Sequence, residues 1–419
     1  MKKEKTTRCY LLIFMIFFFL LLVQDAVQDN FLPMKYFDEI FGLLLLPAGV
    51  LRLVQKKAPE KISLAWLTML IFLLVFWLSG WTSTLQYGYQ PMVNAWKDAY
   101  VAVKFFLAMG ASFFIFSQEI DFSWMEKKLW YVCNVVTAVL TGLCILDVFF
   151  GIYYTETRYG LPAIKLFYSS YTALVAVCCL LCAIYLRLYE YYGKKIIKPL
   201  AALFFIMLNT KRVKALGAML CILLLYMLVF HRGKKINKKV LVFSILFAGI
   251  ALVSIVWQII YYYYQLGDES ARLILTIAAP YISKDYFPFG TGWATFGSAF
   301  SGEPYSPVYK MYGLNQVWGL SPKWHQFISD TFWPMILVET GVVGLLSYVG
   351  AILVFINRIL LLKKRNKAVF VSAGSSLAYL LLVSSSESAF VNPLSILFAF
   401  WIGFLLAEVY QTGRGKKEC

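Results

Sequence analysis

Histidine is almost missing from this 419-residue chain, which has two, and its 22 acidic residues are outnumbered by 39 Lys and Arg. With so few ligands, and with the eight cysteines lying in apolar stretches or at their ends, no metal-binding spacing occurs. Cys178 and Cys182 would share a helix face, but no His or carboxylate stands near them, so they are expected to be lipid-facing filler without disulfides. No D-x-D motif is present for a nucleotide-sugar transferase, and the loops on the basic side are too short for a nucleotide-binding domain. Residues 285–297, DYFPFGTGWATFG, begin like a dinucleotide fingerprint, but Thr295 stands where the third glycine belongs and no P-loop Lys-Ser/Thr follows. No small-residue cleavage site follows the first apolar run, so the expectation is an uncleaved first span. There is no convincing internal repeat of the kind many transporters carry. The net charge of +17 is dispersed in short clusters, which speaks against nucleic acid as a partner.

What the chain has instead is apolar length. It is 61% hydrophobic, 18% aromatic and only 15% charged, more apolar surface than a soluble core of this size could hide. Twelve apolar segments run at 10–24, 40–54, 62–83, 98–117, 129–150, 169–187, 196–209, 215–230, 239–263, 334–357, 368–384 and 393–410. The segments 196–209 and 215–230 are short and are expected to form a hairpin. The basic clusters, among them Lys56, Lys57, Lys194, Lys195, Lys234, Lys235, Lys363, Lys364, Lys416 and Lys417, fall on one face, the cytoplasmic one by the positive-inside trend. The expected fold is an all-α polytopic membrane protein of about twelve transmembrane helices. Both termini are expected inside and one large extracytoplasmic loop, 264–333, carries short helices. DESARLILTIAAPYIS is the clearest of these, with Asp268 or Ser270 as its cap and Arg272 in the first turn.

A transferase working outside the cytoplasm has no nucleotide-sugar supply. It needs a donor that arrives in the bilayer, and such donors carry a pyrophosphate. Cations that defy the positive-inside trend are therefore informative. TKRVK, residues 210–214, lies on the expected outer turn of the short hairpin, and Arg272 lies in the loop helix. Arginine suits pyrophosphate because its planar fork donates paired hydrogen bonds and keeps its charge. The loop 264–333 is rich in aromatics, suited to packing on sugars or to lying at the bilayer interface.

SDTFWPMILVETGVVGLL, 329–346, resembles the loop-to-helix element of the bacterial O-antigen ligase and polymerase superfamily: Glu339, Gly341 and Gly344 match its Glu-x-Gly-x-x-Gly. Asp330 and Thr331 occupy the places where that family's ligases carry His and Asn. RLILTIAAPYISKDYFPFGTGWATFG is similar to its Arg-containing helix and Pro-x-Gly-x-Gly turn, and TKRVKALG to its Arg after a short span. YSPVYKMYGL is similar to a stretch of the O-antigen and capsular repeat-unit polymerases. The likeness covers residues 200–350. It implies a glycosyltransferase without metal or cofactor, in the cytoplasmic membrane, that moves a growing glycan from undecaprenyl pyrophosphate to a sugar hydroxyl on an incoming lipid-linked repeat unit. Flippase and chain-length regulator proteins are implied partners beside the lipid bilayer. On this resemblance Arg212, Lys214 and Arg272 would hold the pyrophosphate. Asp330 or His325 would take the hydroxyl proton. Tyr305, Tyr309, Trp293 and Glu339 would contact substrate. A ligase moving finished glycan to another acceptor, and a polysaccharide transporter, remain open alternatives.

Overall fold

A computed structural model describes residues 2–27, 36–54, 64–117, 122–153, 156–230 and 270–415, with a few isolated positions between. The expected ninth span, 239–263, the basic residues Lys56, Lys57, Lys61, Lys234, Lys235, Lys416 and Lys417, and Asp268 lie outside that description.

Helices form where the apolar runs lie. They are α1 (Lys2–Val27), α2 (Phe37–Val54), α3 (Leu64–Tyr87), α4 (Met92–Phe116) and α5 (Phe122–Phe150), then α6 (Tyr171–Tyr192), α7 (Ile197–Asn209) and α8 (Val213–Phe230). Residues 270–332 contribute α9 (Ala271–Asp285) and α10 (Pro307–Met311), and α11 (Trp333–Arg365), α12 (Lys367–Ser384) and α13 (Ser395–Gly415) follow. The described strands are two short ones, β1 (Glu156–Arg158) and β2 (Leu161–Ala163), paired antiparallel in a small hairpin. Among the described residues, seven helices are long and apolar enough to cross a membrane. α7 runs for 13 residues, about 20 Å, too short for a full crossing. It turns back through Thr210–Arg212 into α8, the expected hairpin.

The strongest packing pairs α11 with α3, α13 with α4, α12 with α6 and α2 with α4. α6 is apolar all round and buried along nearly its whole length, as a helix enclosed by others must be. Its cysteines correct the expectation of lipid-facing filler. Cys178 and Cys182 are fully buried and Cys179 nearly so, filling contacts between helices. Two charged nodes staple the bundle. Lys104 of α4 meets Asp38 of α2 at 2.6 Å, with Gln24 of α1 donating to the same carboxylate at 2.7 Å. Arg187 of α6 pairs with Glu126 of α5 at 2.9 Å and with Glu408 of α13. Charge so placed is tolerated because each group has its counter-ion within reach.

Candidate functional site

The glycine-rich run 285–297 and the Glu-x-Gly-x-x-Gly of α11 turn out to be two halves of one joint. Gly341 leaves helical geometry, at φ 66° and ψ −170°, and so breaks α11. Into the break slides the run after α9. Thr291 N–H donates to Val338 O at 2.8 Å and Gly292 N–H to Glu339 O at 3.0 Å, and Val343 N–H returns a bond to Pro288 O at 3.3 Å. The backbones meet so closely that a Cβ on Gly290 would overlap Val338 O, and one on Gly341 would overlap Pro288 O. Val338 O, Glu339 O and Val343 N–H, at the break, thus find partners in a neighbouring segment.

The same joint decides the phosphate question for this run. Trp293 N–H donates to Thr84 Oγ1 at 2.8 Å and Ala294 N–H to Asp98 Oδ2 at 2.7 Å. Thr295 and Phe296 N–H both donate to Glu339 Oε1, at 2.9 and 3.0 Å, and Gly297 N–H donates to Tyr309 Oη at 2.6 Å. With Gly290 N–H bonded to Tyr286 O at 2.9 Å, every N–H from 290 to 297 is taken. An incoming phosphate would find no donor here; protein carboxyl groups already fill the cradle.

Three of the expected substrate contacts belong to this joint and are fully buried. Trp293 packs edge-on against Phe76, ring centroids 5.3 Å apart. Tyr309 bonds Gly297 and Ser301. Glu339 is spent on the loop backbone. Tyr305 is part-buried and donates to Leu320 O. In this conformation all four hold residues 285–320 in place, Tyr305, Tyr309 and Glu339 Oε1 by hydrogen bonds within the protein and Trp293 by ring packing.

The charged residues gather elsewhere, at the end of the bundle where α9, α8, the α12–α13 connection and the chain entering α11 converge. Ser270 caps α9, its Oγ accepting from Leu273 N–H at 3.4 Å, which sets Arg272 in the first turn. Arg272 Nη2 donates to Asp330 Oδ2 at 2.9 Å, a part-buried pair. Asp330 is therefore not the cap of α11, whose N-cap position is Phe332 without a side-chain cap. Lys214, in the first turn of α8, pairs with Glu387, whose Oε1 also accepts from Thr172 at 3.0 Å. Lys214 and Glu387 both lie within electrostatic reach of Asp330. Burial raises the Asp330 carboxyl above the ordinary aspartate range, Arg272 opposes that rise, and Glu387 adds to it. Ser388 ties the two segments together by donating to Ser329 O at 3.0 Å.

Of the residues expected at the site, Lys214, Arg272 and Asp330 come together. Arg212 is two positions from Lys214 but engages the hairpin side: its guanidinium lies 3.7 Å from Glu156 Oε2 and over the Tyr171 ring at 4.4 Å. His325 stands apart, 3.9 Å from Glu303. The residue that sequence reasoning missed is Glu387. Its signal was the acid in SSSESAF, a polar break between the last two apolar runs. Beside it a crevice opens between α6, α12 and α13, lined in part by Thr172, Tyr379, Glu387 and Asn392. Chemically, fixed cations adjoin the Asp330 carboxyl, which burial makes less acidic, so the cluster can hold an anion and accept a proton at adjacent points. No family model and no curated protein matches this chain.

Proposed function

We propose that the protein is a membrane-embedded polymerase of lipid-linked oligosaccharide repeat units, acting at the outer face of a bacterial cytoplasmic membrane. In this reading the chain crosses about twelve times, with both termini inside and residues 264–333 outside. The observation that carries it is the contact of Arg272 with Asp330 beside the Lys214–Glu387 pair. Four segments distant in sequence bring anion-binding and proton-accepting groups to one end of an apolar bundle. A polyprenyl-pyrophosphate donor and a sugar hydroxyl acceptor need those two capacities side by side.

The acceptor hydroxyl oxygen attacks the anomeric carbon of the growing glycan, and the bond from that carbon to the pyrophosphate oxygen breaks. The departing pyrophosphate gains charge as it leaves. Arg272 and Lys214, with Arg212 turned in from Glu156, stabilise that charge as fixed cations. Asp330 takes the hydroxyl proton. Its raised pKa makes it a better base than an ordinary aspartate. In the free enzyme Arg272 masks the Asp330 carboxyl; pyrophosphate competes for the guanidinium and frees the base where the acceptor arrives. Undecaprenyl carriers are the donor class implied by the family resemblance, and flippase and chain-length regulator proteins would work on either side of the reaction.

A deletion strain tests this reading. It should accumulate single lipid-linked repeats and lose long-chain polysaccharide, and the wild-type gene should restore the chains. Long chains that persist on the lipid carrier and fail only to reach another acceptor would instead mark a ligase. Repeats trapped on the cytoplasmic side would mark a transporter.

A further inference from the structure

The aromatic residues expected to meet sugar are committed inside the protein, whereas Trp318 and Trp324 of the same loop are exposed at its surface. Trp318 and Trp324 are 61% and 39% exposed, their rings edge to face with centroids 4.3 Å apart. Phe327 backs both, at 5.1 and 5.9 Å. Backbone bonds fix the platform: Phe327 N–H donates to Gly319 O at 3.1 Å, and Trp324 N–H to Ser321 O at 3.1 Å. The same turn ends at the charged cluster, since Asp330 N–H donates to Phe327 O at 3.3 Å. Ring platform and proton acceptor therefore ride on one short, internally bonded stretch of chain.

The surroundings of the rings choose their occupant. Gln316, Lys323 and Gln326 are all exposed among them. A surface lying in hydrocarbon would avoid such interruptions, as α11 does along Leu346, Leu353 and Leu360. A pyranose wants this mixture: its C–H face packs on an indole, while its hydroxyls need hydrogen-bonding neighbours. We propose that Trp318 and Trp324 form a carbohydrate subsite that holds a sugar of the repeat unit while the reacting group lies at Asp330. Its purpose rests on the polymerase reading; its sugar-binding chemistry does not.

The probe is the free oligosaccharide released by mild acid from the producing strain's polyprenyl lipids, titrated against full-length protein in lipid nanodiscs. Wild type should bind it. Trp318→Tyr, which keeps a ring face, should bind within about twofold of wild type. Trp318→Leu and Trp324→Leu keep apolar bulk without the face and should weaken binding about tenfold, with thermal midpoints unchanged. Wild-type affinity in both leucine variants, or no binding by wild type, would overturn the subsite. So would quenching of a bimane label at Trp318→Cys by brominated phosphatidylglycerol, which would place the rings in the bilayer. Ring-dependent binding without chain elongation would support the subsite and sink the polymerase reading. Elongation with ring-independent binding would do the reverse.

Discussion

Gly290 and Gly341 lie backbone against backbone, both in the left-handed region at φ 78° and 66°, and neither has room for a Cβ. Alanine at either position should cost about 3 kcal/mol or more through overlap and backbone strain together. Gly142, on α5 with open space around its Cα, is the control, and alanine there should be neutral or slightly stabilising. Thermal unfolding in detergent checks the contrast. Gly341→Ala as stable as wild type would mean that the joint is not formed.

Glu339 separates a structural role from a substrate role. Glu339→Ala leaves the Thr295 and Phe296 N–H groups buried without an acceptor, at about 3 kcal/mol. Glu339→Gln keeps an oxygen for both and should retain most of the stability and the activity per folded molecule. Loss of activity in a fully folded Gln variant would return Glu339 to the substrate site.

How far the sequence could anticipate this depended on how local the cause was. The α9 helix was legible because Ser270 and the apolar run are adjacent in the chain. The short hairpin was legible from length alone. The joint was half legible: both glycine motifs stood out, but nothing in either names the other as its partner across the 41 residues between them. Trp293 and Tyr309 were expected at a surface because aromatic-rich loops often lie there, and burial was decided by contacts with α3 and with the joint that composition does not encode. Glu387 escaped because a lone acid gains meaning only when folding sets it beside Lys214.

Asp330 and His325 are separated by a pair of conservative substitutions. Asp330→Asn keeps the shape but cannot accept the proton, and should lower polymer synthesis about a hundredfold or more. His325→Gln should keep most activity, since its imidazole sits with Glu303 instead of the cationic cluster. An inactive His325→Gln beside an active Asp330→Asn would reverse the assignment.

The pH profile tests the electrostatics of Asp330. As a base it works when deprotonated, so activity should rise with pH through an acid limb lying above the ordinary aspartate range. Glu387 raises that carboxyl further because its negative charge opposes a second one. Glu387→Gln should therefore shift the limb to lower pH, as read from rates across a pH series. A limb that stays put or moves upward would show that Glu387 does not act on Asp330.

Orientation can be read with a membrane-impermeant thiol reagent in intact or outer-membrane-permeabilised cells. Lys310→Cys, exposed on α10, should label from outside, and Lys364→Cys, at the exposed far end of α11, should not. The opposite pattern would place Asp330 on the cytoplasmic side, where a polymerase of exported repeats has no substrate.

Elongation by the purified protein tests the central claim most directly. Wild-type protein in vesicles, given only lipid-linked repeat units, should produce a ladder of longer glycans still attached to lipid and release undecaprenyl pyrophosphate in equal number to the bonds formed. Arg272→Ala should lower that rate about a hundredfold with the protein folded, and lysine should restore it poorly because a point charge lacks the guanidinium fork. No elongation by wild type with its lipid-linked substrate present, or an Arg272→Ala variant as fast as wild type, would contradict the account.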